Sequence, residues 1–115
     1  MTWLDEDGNI HHVKGDDFEL RLTDFKEDDI LINWTGWNIL IQAREKANSP
    51  DKVIEFTNTD MNLTTPGVMI ITKVNTAFNF TPKTYQCDWQ FTRPSGKVDT
   101  LLPSKKFFLH EDISR

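Results

Sequence analysis

Apolar and polar residues alternate with a period of two along most of this chain, and that period predicts strands. The organising stretch runs from Ile30 to Arg44, where Trp37, Ile39, Ile41 and Ala43 fall on one side and Asn38, Leu40, Gln42 and Arg44 on the other. Gly36, between Trp34 and Trp37, enters this strand through a tight turn that calls for a positive φ or lacks room for a β-carbon. The regular alternation recurs at Tyr85, Cys87, Trp89 and Phe91 against Gln86, Asp88, Gln90 and Thr92. Phe18, Leu20 and Leu22 repeat it, as do Ile54 and Phe56 in a shorter strand.

Turn signals separate these runs. Asp7-Gly8-Asn9 predicts a short hairpin or arm over residues 1–14, and Lys14-Gly15-Asp16-Asp17 opens the first full strand. Lys26 to Asp29 reads as a charged loop, and Asn48-Ser49-Pro50-Asp51 as a turn. Pro66-Gly67 precedes an apolar strand over Val68 to Thr72. Val74 to Pro82 is compatible with one helical turn or a loop capping the core. Arg93-Pro94-Ser95-Gly96 is a type I hairpin turn, from which Lys97 to Leu102 pairs back. Pro103-Ser104 interrupts before a final strand, Lys105 to His110. The expected fold is all-β: a single antiparallel β-sandwich, Ig-like or jelly-roll-like, of seven to eight short strands over residues 15–115.

Composition narrows the picture. At 115 residues the chain is one domain, and its eight Phe and four Trp suit a thin core filled by large rigid side chains. A net charge of −5 disfavours nucleic acid as a partner. The lone Cys87 excludes an intramolecular disulfide. No apolar run approaches the roughly 18 residues that span a bilayer, and the acidic opening is unlike a signal peptide, so no membrane partner and folding in the cytosol are expected.

Candidate chemistry is sparse. His11-His12 invites a metal reading with His110 or nearby carboxylates, but neighbours on a strand point to opposite faces, so no metal is assigned. Asp5, Asp7 and Asn9 have alternate oxygen donors, yet Gly8 is misplaced for a calcium loop and the distal bidentate Glu is missing. Asp16-Asp17 and Asp28-Asp29 read as solvated loop charges, and Cys87 as a core residue. No nucleophile elbow or phosphate loop occurs, so no catalytic residue, cofactor or enzymatic activity is expected. Trp37 and Trp89 fall in register with apolar residues and belong to the core. Trp3, His11, His12 and Trp34 are the candidate contacts to a partner or, through the tryptophans, to a sugar ring.

The order of features carries a resemblance. Gly15-Asp16 precedes the Phe18 to Leu22 strand, and Thr35-Gly36 leads into a strand ending Gln42-Ala43-Arg44. Pro66-Gly67 introduces a strand, Tyr85 opens one carrying Asp88, Gly96 precedes Thr100-Leu101, and Asp112-Ile113-Ser114-Arg115 closes the chain. This pattern resembles the small β-sandwich proteins and domains of tailed bacteriophages, and is similar to the N-terminal domain of the phage baseplate upper protein. It departs from them at Asn33-Trp34, where Asp-Leu is expected, and at Ser104-Lys105, where a glycine is common. The resemblance implies a structural part of the virion, in tail, neck, baseplate or capsid surface. Its partners would be other virion proteins, with repeated copies on a symmetric platform. A carbohydrate-binding module for a host surface glycan is the alternative.

Overall fold

The computed structural model describes residues 1–46, 48–99, 101 and 104–111. The far end of the Lys97 to Leu102 return, the Pro103 interruption and the closing Asp112 to Arg115 motif lie outside the described residues. Among the described residues the strands are, in chain order, β1 (Thr2–Leu4), β2 (Ile10–Val13), β3 (Phe18–Leu22), β4 (Lys26–Glu27), β5 (Ile30–Leu31), β6 (Asn38–Arg44), β7 (Ile54–Phe56), β8 (Met61–Asn62), β9 (Met69–Lys73), β10 (Thr84–Thr92), β11 (Val98–Asp99) and β12 (Lys105–His110). The fold is nearly all-β, with short 3-10 turns at Asn58–Asp60 and Asn75–Ala77. Beyond the expected strands, β1 and β2 form in the segment read as a short hairpin or arm, β4 in the charged loop, β5 at the start of the Ile30 to Arg44 stretch, and β8 after the Asn58–Asp60 turn.

The main sheet runs β1-β2-β12-β10-β6-β7, with β11 paired to the end of β10. β3-β9-β8 form a second sheet, and β4-β5 a two-stranded hairpin. The expectation of a wholly antiparallel sheet is corrected at one place. β2 and β12 pair in parallel, Ile10 with Phe107 through Val13 with His110. These strands lie at opposite ends of the chain, so no hairpin forces them antiparallel. Burial sets their register instead, since Ile10 and His12 align inward beside Phe107 and Leu109.

Inward residues of β6 and β10 meet in pairs, Ile39 with Phe91, Ile41 with Trp89 and Ala43 with Cys87. All six are buried. Phe18 and Leu20 of β3 and Met69 and Ile71 of β9 complete the same core, with Phe18 packed 4.9 Å from Phe56 and 6.3 Å from Phe107 between ring centroids. Phe78, carried by the turn after β9, is fully buried and caps this cluster. The main sheet curls toward the small one at both margins. The Glu19 N–H of β3 donates to the Thr2 hydroxyl at 3.4 Å, and Lys73 of β9 donates to the Glu55 carbonyl of β7 at 2.9 Å.

Gly36 has φ +82°, and a β-carbon there would meet Pro94 Cβ and Cγ at 3.2 Å. The turn before β6 is therefore packed on the turn after β10. Trp37 and Trp89 are each 7% exposed, as their place in the alternation requires. Removing a buried large aromatic leaves a cavity that the surroundings only partly close. Trp37→Ala and Trp89→Ala are each expected to lose about 3–5 kcal/mol in denaturant unfolding. A variant that unfolds with its parent would refute the inward placement.

Candidate functional site

The β1–β2 turn is organised by one carboxylate. Asp5 Oδ1 accepts from the Asp7 N–H at 3.0 Å and the Asn9 N–H at 2.9 Å, and the Asn9 amide reaches Oδ2 at 3.3 Å. The acidic run is thus a side-chain-capped turn, a local use of Asp that needs no cation. Asp5 Oδ2 also takes a hydrogen bond from His11 Nε2 at 2.8 Å. That bond, with the backbone and side-chain donors around it, holds the Asp5 carboxyl down at about 2.

The chain of bonds continues. His11 Nδ1 lies 2.8 Å from His110 Nε2. In the neutral form of His11, with Nε2–H given to Asp5, its Nδ1 is the acceptor and His110 Nε2–H the donor. The two imidazoles lie nearly in one plane, tilted by 10°, with centroids 5.1 Å apart. Trp3 lies over both, 4.8 Å from His11 and 5.4 Å from His110. Were the histidines on opposite faces of the indole, their separation would approach the sum of those distances, so they share one face. Phe108 covers His11 from the other side at 4.5 Å. The sheet dictates this order, because Trp3 pairs with His11 and His11 with Phe108 across β1, β2 and β12. The outer face of Trp3 is left toward solvent, and the residue is 38% exposed.

Of the four candidate contacts, Trp3 and His11 stand on this outer face and the other two do not. His12 is corrected to a core residue, fully buried. It is paired inside the sheet with Thr2 Oγ1 at 2.8 Å through Nδ1 and with the Asp16 carbonyl at 3.0 Å through Nε2. The carbonyl can only accept, so Nε2 carries the proton and Nδ1 accepts from the hydroxyl. Burial holds the His12 pKa below its ordinary value. Trp34 is likewise corrected to the core at 3% exposure, its indole N–H given to the Val68 carbonyl at 3.1 Å and its ring set edge-on to Trp37 and Phe25. Sequence reasoning missed Phe108 as a surface partner and weighed His110 beside His11 only as a metal ligand. The alternation in Lys105–His110 points both outward, but their meeting with His11 depends on the parallel β2–β12 pairing.

Among the described residues, no group of three or more His, Cys, Asp or Glu is placed to hold a metal. Asp5 and His110 occupy opposite nitrogens of His11, so they do not converge on one point. The arrangement presents a rigid, polar-backed aromatic surface suited to recognition.

A second surface lies around Arg93. Its guanidinium forks onto Glu27 of β4, bonds Asp99 of β11 and lies 4.8 Å over the Trp37 ring. Those hydrogen bonds hold the Glu27 and Asp99 carboxyls below their usual values. The clamp fixes the β4–β5 hairpin, whose tip residues Asp28 and Asp29 both take positive φ, 52° and 63°. The hairpin holds Ile30 at 71% and Leu31 at 45% exposure beside a groove of about 510 Å³ floored by Trp37 and Pro94.

No protein-family model matches this chain, and no curated protein matches it.

Two titrations are expected to separate. Neutral His12 favours the fold while the unfolded residue protonates near 6.5, so its contribution is full above that pH and falls as pH drops through it. A His12→Gln variant will show a flatter stability profile than the parent between about pH 7 and pH 5. Asp5 acts in the other range: its contribution is present above 3.8 and is lost as pH falls toward about 2. The melting difference between the parent and Asp5→Asn will therefore shrink only below that upper limit. Thermal melts at stepped pH read both, and a gap that closes already near neutrality would contradict the Asp5 assignment.

Proposed function

We propose that this protein is a non-enzymatic structural component of a bacteriophage virion, in the tail, neck, baseplate or capsid surface, acting through protein–protein assembly contacts. The observation that carries the reading is the ordered series of sequence features from Gly15-Asp16 to the closing Asp112-Ile113-Ser114-Arg115, which resembles phage β-sandwich domains. We read the curled main sheet and the β3-β9-β8 sheet facing it as such a sandwich, Ig-like or jelly-roll-like in outline. Apolar side chains held out by rigid elements add support: Trp3 and Leu4 on β1, and Ile30 and Leu31 on a hairpin clamped by Arg93. Exposed apolar groups of this kind suit burial against a neighbour. Many copies on a symmetric platform would multiply a modest contact through avidity.

The segment read from sequence as a short hairpin or arm, residues 1–14, would dock a partner only in a specific form. This segment supplies β1 and β2, and its Ile10 and His12 are core residues. It would act from the sheet margin, and its deletion would open the core. Surface substitutions are the suitable probes.

Immunogold labelling of gradient-purified particles with antibodies to the recombinant protein tests the reading. Label at a fixed position on the particle is the expected result. Its absence from intact and disrupted particles alike would remove the virion assignment.

Binding of a host surface glycan is a second reading, and it now rests on Trp3, whose outer face is the one offered to solvent. Trp34, Trp37 and Trp89 are each 7% exposed or less, so a fluorescence change on titration with host polysaccharide would report on Trp3. A glycan reading requires that change, and its loss in Trp3→Ala.

A further inference from the structure

We propose that the free edge of β1 is a self-recognition surface, where two copies join antiparallel about a twofold axis passing through Trp3. The backbone sets this register. The Val13 N–H donates to the Met1 carbonyl and the Asp5 N–H to the Asn9 carbonyl, each at 2.9 Å. In an antiparallel pair such bonds alternate along a strand. Met1, Trp3 and Asp5 therefore turn their backbone groups toward β2, and Thr2 and Leu4 turn theirs away. Among the described residues, β1 pairs with no strand but β2. Its close approach to β3 uses the Thr2 hydroxyl, on the inward side.

A second copy, rotated about Trp3, places Thr2 opposite the partner's Leu4. Each such pair exchanges two N–H···O=C bonds, so one operation satisfies the outward groups of both chains. Trp3 then faces its own copy at a non-hydrogen-bonded position, where side chains approach most closely. Both histidines lie on one face of its indole, leaving the other face for that contact. The stack of Phe108, His11 and Trp3 would run on through the axis into its mirror order.

The margins at β7, β3 and β8 are guarded in ways β1 is not. At β7 the Lys73 ammonium takes the Glu55 carbonyl, and Lys52 pairs with the Glu55 side chain at 3.1 Å. β3 turns Glu19 and Arg21 outward, and β8 is two residues long. Charges and short length are the usual protections of an edge. β1 reads Thr-Trp-Leu, and Trp3 and Leu4 at 38% and 40% exposure are joined there by Met1 at 71%. A strand with no charged side chain, whose neighbouring Met1 ammonium is already paired with Asp16, and whose outward backbone groups meet their own copies about one axis, fits a second copy of this chain.

The inference goes beyond the virion reading and does not rest on it. Sedimentation of the purified full chain over a concentration series tests it. The expected mass rises from one chain toward two. Leu4→Pro removes an N–H directed at the free edge and spares every bond to β2, and Trp3→Lys places like charges at the axis. Each is expected to move the midpoint to at least about tenfold higher concentration. Thermal melts identify a variant that has merely unfolded, and the other variant then decides. Amide exchange should slow at Thr2 and Leu4 as the parent dimerises. A single-chain mass up to about 1 mM, a range that reaches weak contacts, would overturn the proposal; a strand of a different protein docking at this edge would give that result. A dimer unaffected by both variants would place the contact elsewhere and overturn it equally.

Discussion

The pairing of β6 with β10 is the constraint on which the remaining structure depends. Seven residue pairs hold it, from Asn38 with Thr92 to Arg44 with Gln86. A slip of one residue would turn either Ile39 and Ile41 of β6 or Trp89 and Phe91 of β10 to solvent, and bring Gln42 or Asp88 inside. The far end of the ladder is pinned twice. Gly36, at φ +82°, packs so closely on Pro94 that a β-carbon would sit at 3.2 Å, and Arg93 lies over Trp37. Both contacts tie the entrance of one strand to the exit of the other. The register is therefore set by turn geometry as well as by the burial pattern.

From this ladder the sheet extends in both directions, and each extension is decided by which side chains must be hidden. β12 and β2 add on one side with Phe107, Leu109, Ile10 and His12 inward. β7 adds on the other with Ile54 and Phe56. The inner face is then too wide and too apolar to stand alone. β3 and β9 cover it, and Phe78 closes the gap. A buried histidine in that setting carries a cost unless both nitrogens are engaged. The Thr2 hydroxyl and the Asp16 carbonyl engage them, which also draws β1 and the turn before β3 against the sheet.

Much of this was legible in the sequence because period-two burial is a local property. The inward sets of β3, β6, β7 and β10 follow directly from alternation, and the Gly36 and Gly96 turns from their residues. What escaped was non-local. Trp34 flanks a turn and reads as exposed, yet the Val68 carbonyl from a distant loop receives its indole N–H and lets it sink into the core. His12 was hidden by partners on both sides of its own strand. Asp28-Asp29 reads as a charged loop, because Asp-Asp is an uncommon choice for two successive positive-φ positions, and the short hairpin they make is held by Arg93 from the other end of the chain. The candidate site depends on the same kind of information. Its histidines are 99 positions apart, and only the parallel β2–β12 pairing brings them into bonding distance.

That pairing gives β2 two distinct jobs in adjacent residues. His12 faces inward, where hydrogen bonds and burial fix one neutral tautomer. His11 faces outward, where Asp5 fixes its orientation and His110 takes its other nitrogen. Strand alternation rules out a shared ion for the pair and assigns one histidine to stability and the other to the surface. The outward-facing histidine is itself largely covered, its side chain 15% exposed, since Trp3 and Phe108 lie over its two faces while both nitrogens are bonded. The aromatic group beside the sheet margin is consequently held in place before any partner arrives. Preorganisation of that kind lowers the ordering cost of a contact, so a strand of three residues can serve as an interface that a loose one could not sustain.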